Sequence, residues 1–100
     1  MADFLRDKVA IVTGAGRGVG RGVAQLMAKE GAKVVVVDPG VNVDGSGFDQ
    51  SIAEQVAKEI TQDHGIAVAC TESVATMDGG ERIVQSAIDN FGKLDIVVTC

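Results

Sequence analysis

The chain has 100 residues, 46% of them hydrophobic and 23% charged, which suits one small globular domain. A net charge of −5 with nine scattered Lys and Arg argues against a nucleic-acid partner, since that binding depends on clustered cations neutralising phosphates. No apolar stretch approaches the roughly 20 residues that span a bilayer, and residues 1–8 lack a signal-peptide apolar core, so no membrane partner and a cytoplasmic location are expected.

Residues 8–13 open the chain with a short apolar strand pattern around Val9, Ala10, Ile11 and Val12. The octet Thr13-Gly14-Ala15-Gly16-Arg17-Gly18-Val19-Gly20 follows at once. Val23, Leu26 and Met27 then begin a helical pattern over residues 18–30, which Gly31 closes as C-cap. Residues 33–37, Lys followed by four valines, form a second strand of the kind covered on both faces. Asp38-Pro39-Gly40 breaks it with turn chemistry, and residues 41–47 read as a polar, glycine-bearing loop.

Ser51 with Glu54 has the spacing of a capping box. Ile52, Val56 and Ile60, with Ala53 and Ala57 beside them, give the next helix its apolar face. That helix ends near His64-Gly65, where His64 is expected as a solvated C-terminal cap. Residues 66–70 form a third strand. Asp78 with Glu81 signals a third helix, whose buried stripe is Ile83, Val84, Ala87, Ile88 and Phe91, and Gly92 stops it. A fourth strand runs from residue 94 to 98 or 99. The order βαβαβαβ predicts an α/β domain with a doubly wound parallel sheet, Rossmann-like, with helices on both faces. No helix follows the fourth strand, so one edge of the sheet is expected to lie open. The chain reads as the N-terminal part of a larger domain.

The octet lies between a strand and a helix, where backbone N–H groups and a helix N-terminus can cradle a phosphate. The pattern G-x-G-x-x-G fails in every frame; Val19 stands where Gly14 and Gly16 would need the last glycine. A Walker A loop fails too, because no Gly-Lys-Ser/Thr follows. What remains is T-G-x-x-x-G-x-G, with Thr13, Gly14, Gly18 and Gly20 in place. This spacing closely resembles the short-chain dehydrogenase/reductase family, and in particular its hydroxyacyl-CoA dehydrogenase-like branch, found in the dehydrogenase part of peroxisomal multifunctional enzymes. The resemblance runs through all four strands and implies a nicotinamide cofactor over the turn, with Thr13, Gly14, Arg17, Gly18, Val19 and Gly20 among its contacts.

Asp38 lies 18 positions after Gly20, at the end of the second strand. A carboxylate there can accept hydrogen bonds from both hydroxyls of an adenosine ribose and repels a 2′-phosphate, which points to NAD rather than NADP. No Arg or Lys stands at positions 39 to 41 to greet such a phosphate; Arg17 is the one basic residue in the turn itself. The resemblance further implies that Ser73 and Val74, after the third strand, bracket the adenine. It places Thr99 and Cys100 where the family carries two asparagines, with Cys100 contacting the cofactor through its backbone.

The family's proton donor is a tyrosine assisted by a lysine and a serine. This chain contains no tyrosine, so none of its residues is a candidate catalyst. Cys70 and Cys100 have no metal-ligand spacing and are expected as reduced thiols. Two functions stand open at this point. One is an NAD-dependent oxidoreductase acting on a small alcohol or ketone, such as a 3-hydroxyacyl-CoA or hydroxysteroid, and homo-oligomeric as a full-length protein. The other is a non-catalytic nucleotide-binding or interaction module; residues beyond Cys100 would separate the two.

Overall fold

The computed structural model describes residues 4–40 and 51–100. The loop expected at 41–47 and the Ser51 hydroxyl of the capping box fall outside the described atoms. In chain order the elements are β1 (Val9–Thr13), α1 (Gly18–Lys29), β2 (Lys33–Val37), α2 (Ser51–Gln62), β3 (Ile66–Cys70), α3 (Met77–Phe91) and β4 (Ile96–Val98). The strands form one parallel sheet in the order β3-β2-β1-β4.

The valine run explains its own position. Residues alternate faces along a strand, so Val34 and Val36 point to one side and Val35 and Val37 to the other, and all four are fully buried. Val12, Val34 and Val36 pack beneath Ala24 and Ala28 of α1 and Ala53, Val56, Ala57 and Ile60 of α2. Val9, Ile11, Val35 and Val37 pack beneath Ile83 and Ala87 of α3, with Phe91 and Leu94 at the margin. Helices therefore cover both faces, as the continuous apolar run requires. At the β4 edge Val97 is 55% exposed; in α3, Val84 and Ile88 are over 40% exposed, so the buried stripe is narrower than expected and rests on Ile83 and Ala87.

Helix ends follow local chemistry. The α1 terminus places Gly31 in the left-handed region (φ 102), with its N–H donating to Ala28 and that of Ala32 to Met27. The same pairing recurs at α2 with a residue other than glycine in the left-handed position: His64 (φ 70) donates to Thr61, and Gly65 to Ile60. His64 is exposed, and closes the helix through its backbone. For α3 the start lies earlier than the Asp78 signal implied. Thr76 is the N-cap, its Oγ1 accepting from the Gly79 N–H at 2.9 Å, while Asp78 falls in the first turn and favours the helix dipole.

The short β4 is pinned by one residue before it starts. Asp95 donates its N–H to the Val9 carbonyl, and its Oδ2 accepts from the Val9 N–H, both at 2.9 Å. Lys93 Nζ lies 3.0 Å from the same carboxylate. The Val9 N–H, then Lys93, hold the Asp95 carboxyl below its ordinary value of 3.8. Since the folded-state value lies below the unfolded one, this stabilisation is complete above 3.8 and is lost as the pH falls through the folded-state value. Thermal denaturation of the Asp95→Asn variant is therefore expected to show a shallower loss of Tm than wild type between about pH 5 and about pH 2. Parallel curves would remove Asp95 from the acid response.

Candidate functional site

The register aligns Thr13, Val37 and Cys70 across the carboxyl ends of β1, β2 and β3. The glycine turn, Asp38 and the Thr71–Val74 segment all leave the sheet along this one edge, and β4 delivers Thr99 and Cys100 beside them. The strand order runs outward from β1 in both directions, to β2 on one side and β4 on the other. Ligands of open parallel sheets bind in the crevice at such a reversal.

Within the turn the glycines serve different needs. Gly14 (φ 62) and Gly18 (φ 54) adopt left-handed backbone, where a side chain is strained. Gly20 does not; a methyl group there would collide with the Gly14 carbonyl oxygen, so α1 can start this close to the strand exit only without one. Gly14 also lies against β4: a methyl group on it would come within 2.8 Å of the Cys100 carbonyl oxygen. Thr13 joins the two strands from the other side. Its Oγ1 accepts the Cys100 N–H at 3.3 Å and lies 3.5 Å from the Val98 carbonyl oxygen, at the outer limit of a hydrogen bond.

Among the described residues, no side chain caps the N-terminus of α1. Its N-cap, Arg17, makes no side-chain capping bond, and its first turn contains no acidic residue. By contrast α3 is capped by Thr76 and carries Asp78, and α2 carries Glu54 in its first turn. Partial positive charge and N–H donors at α1 are thus available to an anion. Arg17, Gly18 and Val19 are exposed there, Val19 at 78%.

Asp38 faces this turn. Its Oδ2 accepts the Gly16 N–H at 3.0 Å and its Oδ1 accepts the Gly40 N–H at 2.8 Å. A carboxylate offers about four lone-pair sites, so roughly half remain for further donors. The backbone ties the neighbourhood together: Ala15 donates to Val37 at 3.0 Å and Asp38 to Cys70 at 3.1 Å. Asp38 thus acts both as a turn former, through Gly40, and as an oriented acceptor beside the glycines.

Beyond β3, Ser73 Oγ accepts the Ala75 N–H at 3.0 Å, which turns the chain into α3 and leaves a lone pair and the hydroxyl proton. Val74 is 62% exposed next to it. Cys70 is buried, and burial pushes its thiol above the ordinary value of 9.0. That is the opposite of what a nucleophile needs. Cys100 is exposed at the end of β4, near Gly14. Among the described residues no group of His, Cys, Asp and Glu could hold a metal, and no helix is long and apolar enough to cross a membrane.

The structure thus brings Thr13, Gly14, Arg17, Gly18, Val19, Gly20, Asp38, Ser73, Val74 and Cys100 to one edge of the sheet. Sequence reasoning missed Gly16 and Ile52, which meet Asp38 at the turn. The Gly40 bond was foreshadowed by the Asp-x-Gly spacing, but the Gly16 bond spans 22 positions and left no local signal. A groove of about 830 Å³ lies at the opposite end, between the C-terminal halves of α1 and α2. Two helix C-termini carry partial negative charge there, which repels phosphate.

Residues 8–100 match the sequence pattern of the family described as short chain dehydrogenase. The chain belongs to that family. Peroxisomal multifunctional enzyme A of Dictyostelium discoideum is 48% identical over 98 residues, covering 98% of this chain and 22% of that protein. A short chain dehydrogenase from Mycobacterium avium superposes with a TM-score of 0.84 at 44% identity, over 96% of this chain and 34% of its own length. A 7α-hydroxysteroid dehydrogenase, solved with NADH and 7-oxo glycochenodeoxycholic acid, superposes with a TM-score of 0.82 at 35% identity, over 93% of this chain and 33% of its own. The chain spans about a third or less of each of these relatives.

The glycine contacts make a paired prediction. Gly20→Ala is expected to destabilise the protein by about 1–3 kcal/mol through overpacking against Gly14. Gly22, one turn along α1 with open space around it, is expected to gain about 0.5–1 kcal/mol as Gly22→Ala from helix propensity alone. Denaturant titration of both variants checks this; equal effects would mean that Gly20 is not tightly packed.

Proposed function

We propose that this chain is the cofactor-binding N-terminal part of a larger single domain, an NAD-dependent oxidoreductase. The full protein moves a hydride between the nicotinamide and a small alcohol or ketone, of the 3-hydroxyacyl-CoA or hydroxysteroid kind. The likeness to a 7α-hydroxysteroid dehydrogenase and to a peroxisomal multifunctional enzyme supports that range. The proposal includes a homo-oligomeric full-length protein in the cytoplasm, although some relatives carry peroxisomal names.

The residues suit the cofactor. Glycines at positions 14, 18 and 20 keep side chains away from a turn that opens on an electropositive helix start. Thr13 ties that turn to the end of β4, and Ser73 with Val74 would bracket the adenine. The bound cofactor supplies the hydride chemistry; these residues bind and orient it. Arg17 and the α1 N-terminus would hold the pyrophosphate, and Gly14 with the Cys100 backbone, packed together at the β1 and β4 exits, would take the nicotinamide side. The groups that handle the substrate proton belong to residues outside this chain, which contains no tyrosine.

Asp38 carries the choice of NAD over NADP. Two backbone N–H groups fix its carboxylate, so its remaining lone pairs are held in a set direction, and its charge would oppose a 2′-phosphate. Neither Pro39, Gly40 nor Val41 offers a compensating cation. In the full-length protein, Asp38→Ala is expected to weaken NADH binding by about 1–3 kcal/mol, a loss of about 5- to 150-fold. NADPH binding should fall less or improve. An unchanged NADH affinity would leave Asp38 as turn chemistry alone.

A further inference from the structure

We propose that Gly16 is a specificity-determining position: its lack of a side chain is what seats the Asp38 carboxylate on the glycine turn, and with it the discrimination between a free ribose hydroxyl and a 2′-phosphate. The inference rests on the reading of Asp38 as the ribose acceptor and extends it to a residue outside the Thr13-Gly14, Gly18 and Gly20 pattern.

Backbone angle is not the reason for glycine here. Gly14 and Gly18 take positive φ, whereas Gly16 is not among the positive-φ residues, so its conformation is open to alanine. Space is the reason. A methyl group at Gly16 would lie 2.6 Å from Asp38 Oδ2 and 2.9 Å from its Cγ, and would collide with Ile52 Cγ2. Gly16 is itself buried beneath these two side chains. Something must move, and the candidates differ in consequence. Ile52 can move its Cγ2 methyl only by turning about χ1 or shifting with α2, and either movement leaves the Asp38 bonds intact. The carboxylate can move only by breaking the 3.0 Å bond from the Gly16 N–H, while its other oxygen stays tethered to Gly40 at 2.8 Å. An alanine therefore swings the carboxylate off the turn around its Gly40 anchor. The phosphate cradle of Gly14, Gly18 and Gly20 is unaffected, so both cofactors keep their common contacts and lose only what tells them apart.

The test is an equilibrium titration of the full-length protein with NADH and with NADPH, comparing wild type, Gly16→Ala, Asp38→Ala and the double variant Gly16→Ala/Ile52→Ala. The NADH-to-NADPH affinity ratio is expected to fall about tenfold or more in Gly16→Ala, the size of one lost charge-assisted hydrogen bond. It should stay low in the double variant, because Ile52→Ala relieves the isoleucine conflict but not the one with Asp38. Should Gly16→Ala fail to fold, the double variant, with its steric load reduced, carries the same comparison. A wild-type ratio in either folded variant overturns the proposal. So does a ratio restored by Ile52→Ala, which would place the effect in α2. If Asp38→Ala leaves the ratio unchanged, the ribose reading itself has failed. A ratio lowered by Asp38→Ala but not by Gly16→Ala refutes the role of Gly16 alone.

Discussion

The first turn of α1 rests directly on the exit of β1, with the backbone of Gly20 against the carbonyl of Gly14. The rest of the site depends on this approach. A helix that began farther away would aim its N–H groups past the strand ends, and its partial charge falls off within the first turn. The approach also forces the chain between the two contacts through left-handed backbone at Gly14 and Gly18. That shape leaves the turn open above the sheet edge. The buried alanines at positions 24 and 28 continue the same close packing, letting α1 lie flat over Val12, Val34 and Val36.

Two strands then fix what surrounds the turn. From β2 comes Asp38, its carboxylate spanning Gly16 and Gly40; from β4 comes the Cys100 backbone, held by Thr13 and crowding Gly14. Positive and negative features are arranged in sequence along one edge. The α1 terminus, without a side-chain cap among the described residues, suits an anion, and the carboxylate one strand over suits hydroxyl donors and opposes further negative charge. An extended molecule with phosphates in its middle and a ribose at one end matches that order. The arrangement is held by backbone hydrogen bonds on both sides of Asp38.

Much of this was legible in the sequence, for physical reasons. Four consecutive valines can be buried together only in a strand covered on both faces, and that fixed the layering around Val34–Val37. The Thr13–Gly20 octet and Asp38 stand out because their chemistry is local: glycine where backbone must turn or approach, and a carboxylate at a strand end. What stayed hidden was long-range. Nothing near Gly16 or Ile52 announces that they meet over Asp38. Asp78 with Glu81 looked like a helix start, yet the preceding Thr76 won because its short hydroxyl reaches the Gly79 N–H. The fourth strand proved shorter than its apolar run, since Asp95 uses its side chain and backbone together to bond Val9 ahead of the ladder.

The proposed role of this edge of the sheet is to select an unphosphorylated nicotinamide dinucleotide through the carboxylate of Asp38. Its most direct test is an equilibrium titration of the wild-type full-length protein with NADH and NADPH in the same buffer. Tighter binding of NADH by about tenfold or more is expected. Equal affinities, or tighter binding of NADPH, would contradict it.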